Sequence, residues 1–251
     1  MADFEYIAGV TGYVGTTGAT QVSASGALNV TAGDLLVAWG EWQNAGSTDT
    51  IVFDENDGTD AFVTGTETIN SDDLAGCFGW LIDAPGDASF TPRMTVSAAA
   101  RRLTIVVMQF RPVGAGTVAM DAETTDVGSS TSLASGVLAS KANALTLGGG
   151  CAADGGTAFS NEKIGGIAAT TVIRDANNYS AEWYRLLTDA EGNIGATATN
   201  ANDLWVCGVI QFTYTAGGEG GGSWAGGGNL NKLSGAYNRH IGISRSKGGV
   251  L

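Results

Sequence analysis

Apolar residues along this chain fall in short unbroken runs rather than at helical intervals. "LTIVVMQF" (103–110) is continuously apolar and rich in β-branched residues, the pattern of a strand central in a sandwich. "TGTETI" (64–69) alternates more loosely, as a strand with one wet face does. No sustained helical period is present. The runs also recur. "ASGALNVTAGDLLVAW" (24–39) is echoed by "ASGVLASKANALTLG" (134–148), and "FGWLIDAPGD" (78–87) by "YRLLTDAEGN" (184–193). "LTIVVMQFRP" (103–112) is echoed by "WVCGVIQFTY" (205–214), with Gln-Phe in step. Three matches in one order, at offsets of 110, 106 and 102 residues, point to an internal duplication.

Each copy, at about 105 residues, has the size of a two-sheet sandwich. "RPVGAG" (111–116) interrupts the strand pattern and marks the boundary. The expected fold is all-β: two tandem jelly-roll-like or Ig-like sandwiches over 1–112 and 113–216, then an extended Gly-rich arm over 217–251.

Composition agrees with strands and turns. Glycine contributes 39 of 251 residues and proline 3, far above the usual ~7% for glycine. Charge is divided unequally. Residues 1–216 carry 8 Lys/Arg against 24 Asp/Glu, a balance of −16. Residues 217–251 carry 4 against 1, or +3. A body this acidic repels nucleic acid and anionic membrane, so neither is expected as a partner. Cys77, Cys151 and Cys207 lack the spacing of a disulfide framework or zinc site and are expected as buried free thiols. "MADFEYIAGV" has no basic segment before an apolar one, so neither a secretion signal nor a membrane span is expected.

The order "TAGDLLVA", an aromatic strand ending in Asp-Ala-x-Gly, and an apolar strand closing on Gln-Phe resembles β-sandwich modules of tailed-bacteriophage virion proteins (head decoration or tail and fibre proteins). Such modules also occur in bacterial surface proteins. The resemblance covers about 20–215, in two copies, and rests on turns and core strands. It implies a virion-associated or surface-binding module and carries no catalytic residues across. The second copy departs from it at "LTLGGGCAADGG" (145–156), where glycines replace the tryptophans of "VAWGEWQ" (37–43). An aromatic ligand surface built on Trp39 and Trp42 would therefore exist in one copy only. Those two residues point to opposite faces of a strand, one to a core and one outward.

Residues suited to chemistry are few. The single histidine, His240, lies in the arm, which leaves no Ser-His-Asp or Cys-His site within the body. "GAGTVA" (114–119) fits G-x-G-x-x-A but opens no amphipathic helix and reads as a linker turn. Asp54, Glu55, Asp57 and Asp60 cluster around Gly58 without EF-hand spacing, giving a weak calcium loop at Asp54, Asp57 and Asp60 or a solvated acidic turn. Asp83 and Asp189 share the Asp-Ala-x-Gly context and read as turn residues. No cofactor is expected.

The arm has its own logic. "GGEGGGSWAGGG" (217–228) holds eight glycines around Trp224. Glycine loses the most freedom on ordering, so such a segment orders against something else, with Trp224 as the large apolar anchor. Leu230, Leu233, Tyr237 and Ile241 add spaced apolar contacts. Lys232, Arg239, Arg245 and Lys247 suit an acidic neighbour such as a sister subunit. The expected function is a non-enzymatic structural protein of a phage-like virion, a capsid decoration or tail/fibre component. Its partners are copies of itself and other virion proteins, and it is assembled in a host cytoplasm. The alternative is a carbohydrate- or receptor-binding module for host attachment.

Overall fold

The computed structural model describes residues 3–43, 50–71, 73–153 and 157–217. Residues 1–216 form one compact unit. Trp224, Leu230, Lys232, Leu233, Tyr237, Arg239, His240, Ile241, Arg245 and Lys247 lie outside the described residues.

The first copy contributes β1 (Phe4–Val14), β2 (Ala19–Ser23), β3 (Leu28–Val30), β4 (Asp34–Gln43), β5 (Ile51–Glu55), β6 (Val63–Thr64), β7 (Thr68–Asn70), β8 (Leu74–Ala84), β9 (Asp87–Phe90), β10 (Pro92–Ala100) and β11 (Arg102–Pro112). The second contributes β12 (Gly116–Ala134), β13 (Leu138–Ala139), β14 (Ala144–Ala152), β15 (Ser160–Ile164), β16 (Ile167–Ala168), β17 (Thr171–Arg174), β18 (Ser180–Leu187), β19 (Asn193–Ile194) and β20 (Ala196–Ala216). No strand of β1–β11 pairs with one of β12–β20 among the described residues. The division at "RPVGAG" is thus the line between two sets of sheets.

The two sets share one strand order. The wide sheet of the first copy runs β1-β11-β4-β8-β6, and that of the second runs β12-β20-β14-β18-β17. Across the central pair the register is identical: Phe110 faces Leu35, and Phe212 faces Leu145. The outer sheet β2-β10-β5 has its counterpart in the end of β12, the start of β20 and β15. The pair β3-β9 matches β13-β19. Where the first copy breaks between sheets, the second runs straight through, so β12 and β20 each belong to both layers. Gly114, at φ 105, turns the chain into β12, which makes "GAGTVA" a strand entry.

The wide sheets are buried on both faces, which is why their central strands are unbroken apolar runs. Leu36, Ala38 and Trp42 point into the core beneath the first outer sheet. Leu35, Val37 and Trp39 point the other way, into a middle core shared with Leu145, Leu147, Val206, Ile210 and Phe212 of the second copy. A third core holds Trp183, Trp205, Cys207 and Val209. The body is therefore layered outer, wide, wide, outer, with the two sandwiches fused back to back.

This fusion is pseudo-two-fold. Trp80 packs edge-on to Phe212, and Tyr184, which holds the register place of Trp80, packs edge-on to Phe110, the counterpart of Phe212. Such reciprocal contacts define an isologous interface. On the axis, Trp39 meets its own counterpart, Gly149. A Cβ on Gly149 would overlap the Trp39 indole, and one on Gly208 would crowd both Trp39 and Phe78. Gly149 of "LTLGGG" and Gly208 of β20 form the slot into which Trp39 fits, while Gly148 and Gly150 face Trp183 on the other side of the sheet.

The recurring Gln-Phe also has a physical role. In the first copy the Thr31 N–H donates to Asp34 Oδ2 at 2.9 Å, and Gln109 Nε2 donates to the same oxygen at 2.6 Å. In the second copy Ala144 replaces the aspartate, and Lys141 N–H donates directly to Gln211 Oε1 at 3.0 Å. Each glutamine ties down the turn entering the central strand. That turn needs a left-handed residue, supplied by Gly33 at φ 94 and by Asn143 at φ 53.

Candidate functional site

At one end of the wide sheets the strand pairings bring together residues far apart in the chain. Tyr13 pairs with Thr104 near the end of β1, and Arg102 pairs with Gln43 where β11 begins and β4 ends. The pairing of Cys151 with Ser180 sets Ala152 opposite Tyr179, with Ala153 next along the strand. Tyr13, Gln43, Arg102, Ala153 and Tyr179, together with Gly15, Thr17, Arg101 and Asp203, line a polar cleft of about 340 Å³.

Arg102 organises the cleft. It is 5% exposed. Its Nη2 donates to Glu41 Oε1 at 2.5 Å and to the Ala152 carbonyl at 3.1 Å. Nη1 donates to Gln43 Oε1 at 3.2 Å and to the Ala153 carbonyl at 2.9 Å, and Nε donates to Glu41 at 3.1 Å. The guanidinium donors are thus spent within the protein. Burial works against the Arg102 charge, yet Coulomb attraction to Glu41 and the hydrogen bonds Arg102 donates to it raise its pKa on balance. The network continues inward: Thr104 Oγ1 donates to Glu41 Oε2 at 2.8 Å and lies 2.5 Å from Ser180 Oγ.

The flat guanidinium lies 3.6 Å from the centroid of Tyr179, a cation–π distance. Tyr13 stacks on Tyr179 with centroids 5.7 Å apart and planes 3° from parallel. Tyr13 remains 38% exposed. Arg101 is exposed and has no side-chain hydrogen bond or ion pair among the described residues. Asp203 is half-buried, and its Oδ2 has no hydrogen-bond partner among the described residues.

None of this cleft belongs to the sites expected from sequence. Trp39 and Trp42 do point to opposite faces of β4, but both faces are covered, and their exposures are 0% and 1%. Neither offers a surface to a ligand, because the strand is central in a sheet packed on both sides. The acidic turn does not converge on a cation either. Asp54 is held by Arg93 through contacts of 2.6 and 2.8 Å. Asp57 accepts from Thr59 N–H at 2.9 Å and Oγ1 at 2.7 Å. Asp60 joins them in no cluster, since no group of three or more His, Cys, Asp or Glu suited to a metal occurs among the described residues. Glu55 in the same turn is raised to about 7, first by burial and then by a hydrogen bond with Asp87. Asp83 and Asp189 are both exposed. In the first turn Asp83 itself takes the left-handed conformation at φ 55, whereas in the second it is Gly192, at φ 84. Cys77, Cys151 and Cys207 are buried free thiols.

No family model matches the chain, and no curated protein does. Among solved structures it is similar to the N-terminal CBM22-1–CBM22-2 tandem domain of Paenibacillus barcinonensis Xyn10C, at 11% identity and a TM-score of 0.22, over 84% of this chain and 93% of that one. It is also similar to a deletion mutant of Bacillus subtilis oxalate decarboxylase OxdC, at 7% identity and a TM-score of 0.17, over 84% of this chain and 75% of that one. Scores this low establish no shared fold.

Proposed function

We propose that the chain is a non-enzymatic structural protein of a phage-like virion, a capsid decoration or tail/fibre component, tethered to neighbouring subunits by its C-terminal arm. The observation that carries this reading is the locking of two sandwiches into one block through Trp39 and its glycine slot. A block with three stacked cores transmits load without internal hinging, which suits a building unit. The −16 body and the +3 arm give copies of the chain complementary surfaces, screened by salt.

Removal of residues 217–251 tests this. The truncated chain keeps both sandwiches and melts like the full chain, while its mass by light scattering, or its incorporation into particles, falls. A truncated chain that assembles as well as the full one would end the tether reading. A second reading, a carbohydrate- or receptor-binding module for host attachment, is favoured by one observation, the exposed Tyr13 stacked over a polar cleft.

A further inference from the structure

We infer that the cleft between Tyr13, Tyr179, Arg101 and Asp203 is a binding site for an uncharged sugar ring, a neutral pyranose unit of a glycan. The inference deepens the second reading above and is independent of the tether.

A pyranose presents a face of C–H groups and a rim of hydroxyls that both donate and accept. Its partner is a flat aromatic ring held rigid, with polar groups beside it that still have hydrogen-bonding capacity. Tyr13 and Tyr179 form such a platform, and Arg102 fixes it by covering one ring and spending its donors on Glu41, Gln43 and two carbonyls. Arg101 remains available as a donor, and the Asp203 carboxylate lines the cleft beside it. The volume of 340 Å³ lies at the small end of the usual ligand range, about 300–1,000 Å³.

Charge selects the neutral ligand. Arg102 is neutralised by Glu41 at 2.5 Å, and Arg101 and Asp203 cancel. A body carrying −16 disfavours an acidic glycan.

The cleft is also particular to one corner of the molecule. Under the pseudo-two-fold relation Tyr13 corresponds to Val127 and Arg102 to Leu204. The architecture alone does not demand a polar stack there, since its mate does without one.

The test is retention of the full-length protein on an array of neutral gluco-, galacto- and manno-configured oligosaccharides, with uronate- and sialate-bearing ones alongside. A subset of neutral glycans is retained. Tyr13→Ala weakens retention about tenfold or more, as loss of a hot-spot aromatic does, and Tyr13→Phe keeps it. Asp203→Asn weakens it several-fold. Thr17→Trp, placed at an exposed rim position, plugs the cleft without touching a core and abolishes retention, which covers the case of Tyr13→Ala failing to fold. Retention of no neutral glycan, retention of acidic glycans alone, or retention unchanged by Thr17→Trp would each overturn the inference. Particle incorporation of the same variants stays at the wild-type level, so loss of binding and loss of assembly are read separately.

Discussion

In the first copy Trp39 pairs across the strands with Phe78, their ring centroids 4.7 Å apart. The pair in the same register place of the second copy is Gly149 and Glu182. Both pairs face the middle core, and Trp39 lies on Gly149. Two identical sandwiches meeting on a two-fold axis would set tryptophan against tryptophan in one space. Once the modules share a chain, each can change alone, one becoming the knob and the other the slot. The polar seam shows the same division, since Glu41 and Arg102 correspond to Cys151 and Leu204. Duplication here fixed which module packs against which, because neither half is complementary to a copy of itself.

The strongest way to break this comparison is to undo the knob. Trp39→Ala should cost about 3–5 kcal/mol, as large core truncations do, read as a drop in urea midpoint. Gly149→Trp should also destabilise, by about 1–3 kcal/mol or more from overpacking. The exchange Trp39→Gly with Gly149→Trp moves the knob to the other copy. It should cost clearly less than the sum of the single changes, and strict additivity would show that the two positions do not share one space.

Glu182 sharpens the comparison through pH. It is fully buried, neither carboxylate oxygen has a hydrogen-bond partner among the described residues, and burial raises its pKa well above 4.5. The folded state therefore holds this proton more tightly than the unfolded state. Its stabilising effect is complete below the ordinary value of 4.5 and is lost progressively as pH rises above it. Glu182→Gln should remove that decline, so the mutant gains on wild type in melting temperature from pH 4 to 8. Parallel profiles would mean the carboxyl does not titrate in the core.

The smallest effect separates the two glutamines. Gln211→Leu leaves the Lys141 N–H without its acceptor and should cost about 1–3 kcal/mol. Gln109→Leu should cost less, about 1 kcal/mol, because Asp34 still accepts from Thr31. Equal losses in thermal melts would remove the claimed difference between the turns.

Much of this fold was legible in the chain, for local reasons. A central strand buried on both faces shows itself as an unbroken run. The same burial hid the fate of Trp39 and Trp42, because a strand covered on both sides leaves no polar alternation from which to tell an exposed face. The Asp-Ala-x-Gly match places β18 at an offset of 106, yet its pairing with β14 follows an offset of 104, with Glu182 in the place of Phe78. A slip of two keeps every side chain on its own face and so leaves no trace in hydrophobicity. The cleft was invisible for another reason. Tyr13, Arg102 and Tyr179 belong to no common motif and meet only through pairing and sheet stacking. The nearest signal was Arg102 itself, a charge at the head of a largely apolar strand.

The unbroken course of β20 has a mechanical consequence. The chain leaves the body at Ala216, the last residue of that strand, which is flanked by β12 on one side and by β14 and β15 on the other. A pull applied at Ala216 along the axis of β20 loads that strand in shear. It must slide β20 past its neighbours, loading many backbone hydrogen bonds together, instead of peeling them apart one at a time. The point of attachment is thus a strand anchored in two layers at once, and tension on it would be spread across the second sandwich before any single bond gave way.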